Sequence, residues 1–141
     1  GGGSNVNMMA TFTQLRNGIK AALGTIDGLS AYAIEPASPK YPAAWIFPQR
    51  INYHASYEGD MTYTLSVSVG VAATEIGHAQ SNLDPYLAPS GTKSVVAALE
   101  ADPSLGGVAD SLRVVALTGY GARDLGGSTA IIATFVVEVF A

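Results

Sequence analysis

The chain has no cysteine and little charge: among its 141 residues, seven are Lys or Arg and eleven are Asp or Glu. Without cysteine there is no disulfide framework and no thiolate for catalysis or metal binding. Charged residues make up 13% of the sequence, about half the ~25% usual in soluble domains. The basic residues Arg16, Lys20, Lys40, Arg50, Lys93, Arg113 and Arg123 are scattered, and the net charge is −4. No basic stripe is available to track a phosphate backbone, which disfavours direct nucleic-acid binding. Histidine is scarce too, with His54 and His78 lacking an H-x-x-x-H spacing, so a zinc ligand set has no support and surface placement is the plainer reading. Long hydrophobic runs are also missing. The most apolar stretch, residues 130–141, is too short to span a bilayer and carries Glu138, so it reads as a core strand.

What is present is apolar and small. Hydrophobic residues make up 48% and there are sixteen glycines, with a mean hydropathy of +0.27. That suffices for one domain with a real core and is too short for two. A thin charged shell on a small apolar chain points to a subunit of an assembly, with part of its surface covered by neighbours. Residues 1–9 have neither a basic nor an apolar region typical of a secretion signal. They read as a flexible leader or cloning remnant, with Met8 or Met9 as the expected native start and residues 10–141 as the single domain.

The clearest period is in residues 61–72, MTYTLSVSVGVA. Tyr63, Leu65, Val67, Val69 and Val71 fall on one parity, and Thr62, Thr64, Ser66, Ser68 and Gly70 on the other. Alternation of this kind predicts a long strand with an apolar face for helices and a small polar face for an assembly partner or channel. Upstream, Phe12, Leu15, Ile19, Leu23 and Ile26 keep helical spacing, predicting a core-facing helix over 12–26 behind a Thr11-x-x-Gln14 capping box. A short strand is expected over 29–34, then an extended loop, since Pro36, Pro39 and Pro42 cannot join a ladder. Residues 43–52 return to strand character, with Pro48 marking an edge or a bulge. Residues 53–60 read as a hairpin tip. Helices are expected over 75–88, with Pro85 able to kink or split the first, and over 95–101, capped by Thr92 or Ser94. Strands are predicted over 111–118 and 129–140, the latter central and covered on both faces, with a flexible tip at 119–128 between them. The order predicts an α+β fold: a mostly antiparallel twisted sheet, with the N-terminal helix and one or two mid-chain helices on one face.

No pattern for chemistry emerges. Glu58 and Asp60 could form a carboxylate pair, yet on a tip they read as solvating charges. The glycines of 119–127 match neither a P-loop nor a dinucleotide fingerprint, and a strand follows them rather than a helix. Gly-x-Ser-x-Gly is absent, leaving no nucleophile elbow. Trp45, Phe47, Tyr53 and Tyr57 could stack a ligand, but core or interface is the plainer role for such aromatics.

Residues 94–107, SVVAALEADPSLGG, resemble the helix and acidic-Pro turn of siphophage tail terminator proteins, the lambda-type tail protein U family. The likeness extends through the N-terminal helix with Leu15-Arg16-x-Gly18, the segment LSAYAI, the proline-rich loop and Ala43-Ala44-Trp45, in the same order. The resemblance implies a structural virion protein without catalysis or cofactor. Such a protein forms a ring, usually a hexamer, on the head-proximal end of the tail tube. The ring ends tube polymerisation and offers a docking surface to the head–tail connector. Its partners would be further copies of itself, the tail tube protein and the connector, with DNA only as cargo through the lumen and no membrane. It would reside in the virion tail after assembly in the host cytoplasm. A tail-tube or head–tail neck subunit is the alternative, and a small-ligand enzyme would need a buried polar pocket that the sequence does not display. Interface candidates are Tyr53, Tyr57, Glu58, Asp60, Ser66, Ser68, Tyr120, Arg123 and Asp124, with Glu58, Asp60 and Asp124 expected to supply lumen- or tube-facing charge.

Overall fold

Tyr63, Leu65, Val67, Val69 and Val71 are all buried at 5% exposure or less, on one face of an uninterrupted strand, Met61–Ala72. Helices cover that face. The computed structural model describes residues 12–53, 61–73, 76–107, 109–125 and 127–140. Across them run α1 (Phe12–Leu23), β1 (Ser30–Tyr32), β2 (Ala43–Tyr53), β3 (Met61–Ala72), α2 (Ile76–Leu87), α3 (Val95–Glu100), β4 (Ser111–Leu125) and β5 (Ser128–Phe140). The fold is α+β, with one open five-stranded sheet in the order β1-β2-β3-β5-β4. Only the β1–β2 pair is parallel; the other three pairs are antiparallel.

The core forms where the apolar stripes of the helices meet the sheet. Leu15, Ile19 and Leu23 of α1, Leu83 and Tyr86 of α2, and Val95 and Leu99 of α3 join the odd-numbered residues of β3 and β5 in one cluster. Phe12 meets Tyr63 edge to face, with ring centroids 5.3 Å apart, the geometry favoured by aromatic quadrupoles. Gly18 lets α1 approach the 3-10 turn Leu105–Gly107, because a Cβ there would stand 2.7 Å from the Leu105 Cβ. Ser94 caps α3, accepting from the Ala97 amide at 3.0 Å and donating to the Ala88 carbonyl. It thereby ties the helix start to the segment after α2.

Several expected boundaries move. The first helix ends at Leu23 rather than Ile26; the next residues form tight turns, closed by Thr25 N–H to the Ala22 carbonyl and Ile26 N–H to the Leu23 carbonyl, and Ile26 is still buried. The first strand shrinks to three residues. Pro85 neither splits nor ends α2; it lies near the C-terminus, where the missing N–H removes one bond to the Ser81 carbonyl. Pro48 does mark a register shift in β2, between Pro48 and Arg50. Because β1 pairs with Ala43, Ala44 and Trp45, that shift lies beyond the β1 pairing, with no outer partner among the described residues.

The largest correction concerns residues 119–128, expected as a flexible tip. Instead β4 continues for fifteen residues to Leu125. Gly119, Tyr120, Gly121, Ala122, Arg123 and Asp124 are paired in turn with residues 134 to 129 of β5. Gly119 and Gly121 keep negative φ, and Gly127 supplies the positive φ, 81°, in the turn before β5. Glycine weakens a strand by about 0.5–1 kcal/mol relative to alanine, but β5 offers a full row of peptide partners, and satisfying them decides the outcome. β5 is central, as expected. Its coverage is unequal: the odd-numbered residues 131–139 are buried, whereas Thr134, Val136, Glu138 and Phe140 on the reverse face are half-buried.

Candidate functional site

Among the described residues, the reverse face of the sheet is covered at one end. The proline-rich segment after β1 folds across it, placing Tyr41 against Ala43, Trp45, Ala130 and Ile132, with Tyr32 alongside. Gly70 makes room: a Cβ there would stand 3.1 Å from Cγ1 of Ile132 and 3.5 Å from the Tyr41 ring. Arg123 of β4 reaches Glu35 of this strap at 3.5 Å, joining the far strand to the segment that leaves β1. The Tyr41 hydroxyl has no hydrogen-bond partner among the described residues. Burial holds its phenol above the ordinary pKa, while the Arg123 charge pulls the other way. Burial raises Tyr86 as well.

Beyond the strap, Ser66 and Ser68 form the floor of the reverse face. They are only 6% and 8% exposed, so the small polar face read from this parity lies low between taller neighbours. In register, Ser66 lies between Phe47 and Val136, and Ser68 between Trp45 and Thr134. Ser68 and Thr134 exchange a hydroxyl hydrogen bond at 3.1 Å. The taller flanking side chains therefore present the surface. Phe47 is 62% exposed while Trp45, two residues earlier on the same face, is buried beneath the strap. These two aromatics do not form a stacking platform. Arg113 and Glu138 pair across β4 and β5 at 3.0 Å, an exposed bridge worth little stability.

The remaining candidates divide. Tyr120, Arg123 and Asp124 lie on β4 rather than on a tip. Tyr120 is opposite Ala133, a core residue, so it stands on the helix side of the sheet; Arg123 is opposite Ala130, on the reverse side. Asp124 accepts from the Thr129 hydroxyl at 2.6 Å. Tyr53 is the last residue of β2, paired with Met61. Tyr57, Glu58 and Asp60, together with His54, Thr11 and Glu75, lie outside the described residues.

β4 also carries features the sequence reading passed over. It is an edge strand with one side unpaired, and Val115, Leu117 and Tyr120 on it are 44–48% exposed. Long apolar edges are usually blunted in monomeric proteins because they template pairing with another chain. Two register shifts, after Val114 and after Leu117, leave Val115 and Thr118 out of register with β5, and Leu117, opposite Phe135, still stands exposed. The alternation of residues 111–117 was visible, but nothing local shows that no helix covers its far end. At the opposite edge, Asn17, Lys20 and Ala21 of α1, Gly24 just after it and Ala31 of β1 line a shallow groove.

Among the described residues, no group of three or more His, Cys, Asp or Glu side chains is arranged to hold a metal ion. Nor is any described helix long and apolar enough to cross a membrane. Compared with known proteins, the chain matches no family model, and no curated protein matches it.

Proposed function

We propose that this protein is a structural subunit of a phage virion that forms a ring on the head-proximal end of the tail tube. The ring ends tube growth and presents a docking surface to the head–tail connector; the protein works by assembly, without catalysis or cofactor. One observation carries the reading: an open sheet whose long edge strand leaves Val115, Leu117 and Tyr120 exposed. An open sheet has two unlike edges, and unlike surfaces meeting head to tail generate closed rings when the rotation closes. Sparse charge and a net charge of −4 suit a lumen that lets DNA pass without holding it. The element order supports the tail-terminator resemblance, which is the source of the virion location and of the tube and connector as partners.

Native mass spectrometry and electron microscopy over a range of concentrations, with and without tail tubes, test the reading. Closed rings, or rings capping tube ends, are the expected result. Long self-assembled tubes would replace it with the tail-tube alternative. A chain that remains monomeric even on tubes would overturn it.

A further inference from the structure

We propose that copies of this chain join by continuing the sheet, with the β4 edge of one copy docking on the β1 edge of the next. The inference rests on the ring reading and names the surfaces that would build it. Its starting point is which side of the sheet each feature occupies. Leu117, Tyr120, Ala122 and Asp124 are opposite Phe135, Ala133, Ile131 and Thr129. Directly opposed residues share a face, and Phe135, Ala133 and Ile131 belong to the helix-side core. These four side chains therefore project on the helix side, whereas Arg123 points to the reverse. At the other edge, the groove between α1 and β1 opens on that same side, since Ala31 is in register with the core residue Ala44.

The two edges are complementary in shape and charge. Ala21, Gly24 and Ala31 line the groove and are small enough to admit an aromatic ring. Lys20, on its wall, has no ion-pair partner among the described residues. Tyr120 is 46% exposed and supplies the ring. Asp124 supplies the opposite charge and accepts from the Thr129 hydroxyl. Tyr120 and Asp124 lie about 13 Å apart at ~3.3 Å per strand residue. Lys20 and Gly24 lie about 6 Å apart at 1.5 Å per helical residue, so the ring seats at the Gly24 end of the groove and the flexible four-carbon lysine stem extends the reach toward Asp124. The backbone is compatible as well. Ser30 donates to the Pro42 carbonyl at 2.9 Å, so in a parallel ladder the peptide groups of Ala31 point away from β2. They are open to a neighbouring strand.

The chain has no native cysteine, so introduced thiols report this contact alone. In the full chain, the double variant Ala21→Cys with Tyr120→Cys should give, under mild oxidation, a disulfide-linked ladder ending at the ring size. Each single variant should give no ladder, and a mixture of the two singles should stop at a dimer. Charge exchange supplies a second arm that leaves the groove intact. Lys20→Asp or Asp124→Lys alone should raise the concentration needed for assembly by roughly tenfold, and the two together should restore it. Circular dichroism confirms that each variant is folded. Assemblies of normal mass with no ladder and no charge rescue would overturn the contact while leaving the ring reading standing. Failure of the unmodified chain to assemble, alone or on tubes, would overturn both. Cross-linking within each single variant would instead show a two-fold contact and overturn the head-to-tail arrangement.

Discussion

Gly18 and Tyr41 occupy opposite faces of the sheet and make opposite demands on neighbouring atoms. A Cβ at Gly18 would meet the Cβ of Leu105, not the end of a flexible side chain, so the 3-10 turn itself would have to shift. Gly18→Val should therefore lower stability by about 1–3 kcal/mol, read as a fall in the urea midpoint. Tyr41 is the converse case, because its hydroxyl is buried with no partner among the described residues. Removing an unsatisfied group at little change in shape costs nothing or gains up to about 1 kcal/mol, the expected outcome for Tyr41→Phe at pH 7. Its pH dependence follows from the raised phenol. A tyrosine with a higher pKa folded than unfolded keeps its proton longer in the folded state. Its contribution is complete below the unfolded value of about 10 and is lost as pH rises through the folded one. Urea midpoints measured from pH 8 to 11 should thus fall less steeply in Tyr41→Phe than in the parent chain. Tyr86, which burial also raises, contributes to the slope that remains.

At the scale of elements, α3 and β4 show how far local pattern reaches. α3 has six residues, too few to be helical alone in water. Ser94 is 1% exposed and satisfies both the Ala97 amide and the Ala88 carbonyl. Ser94→Ala should cost about 1–2 kcal/mol, measured by chemical denaturation, and Ser94→Thr should recover part of it. The acidic-Pro turn and the cap were legible because both act within a few residues. β4 was legible only to Thr118. Gly119 and Gly121 favour a loop on local grounds, and pairing with β5 overrides them. Hydrogen exchange separates the two descriptions. In the paired strand, alternate amides over 119–125 that donate to β5 should exchange at least tenfold more slowly than those facing solvent, whereas a mobile tip would show uniform fast exchange.

For the whole molecule, the question is why a chain of this size leaves apolar groups outside. Its helices cover one face of the sheet, and the strap covers one end of the other. Val115 and Leu117 on the outer strand remain open. If they serve assembly, Val115→Lys combined with Leu117→Lys should leave the stability of the single chain within about 1 kcal/mol while raising the concentration at which copies associate. Equal association of parent and variant in analytical ultracentrifugation would remove the edge from the assembly. Interface candidates read from sequence were only partly brought together. Tyr120 and Asp124 share one side of β4, Arg123 faces the strap from the other side, and Ser66 and Ser68 lie on a shielded floor.

The amino-acid sequence by itself determined the elements whose evidence is periodic. The stripe Phe12, Leu15, Ile19 and Leu23 makes α1, the alternation Tyr63 to Val71 makes β3, and their order makes an α+β sheet with helices on one face. Those signals are local because side-chain direction repeats every 3.6 or every 2 residues. Only the tertiary structure decided that residues 119–125 are strand, that Ser66 and Ser68 are shielded, and that Tyr120 and the α1–β1 groove open on the same side at opposite edges. Each of these depends on atoms far away in the chain: the peptide groups of β5, the side chains flanking β3, and the place of β1 and β4 at the ends of the sheet. Hydrogen-bond completion and burial are settled between strands, and no window of sequence contains both partners.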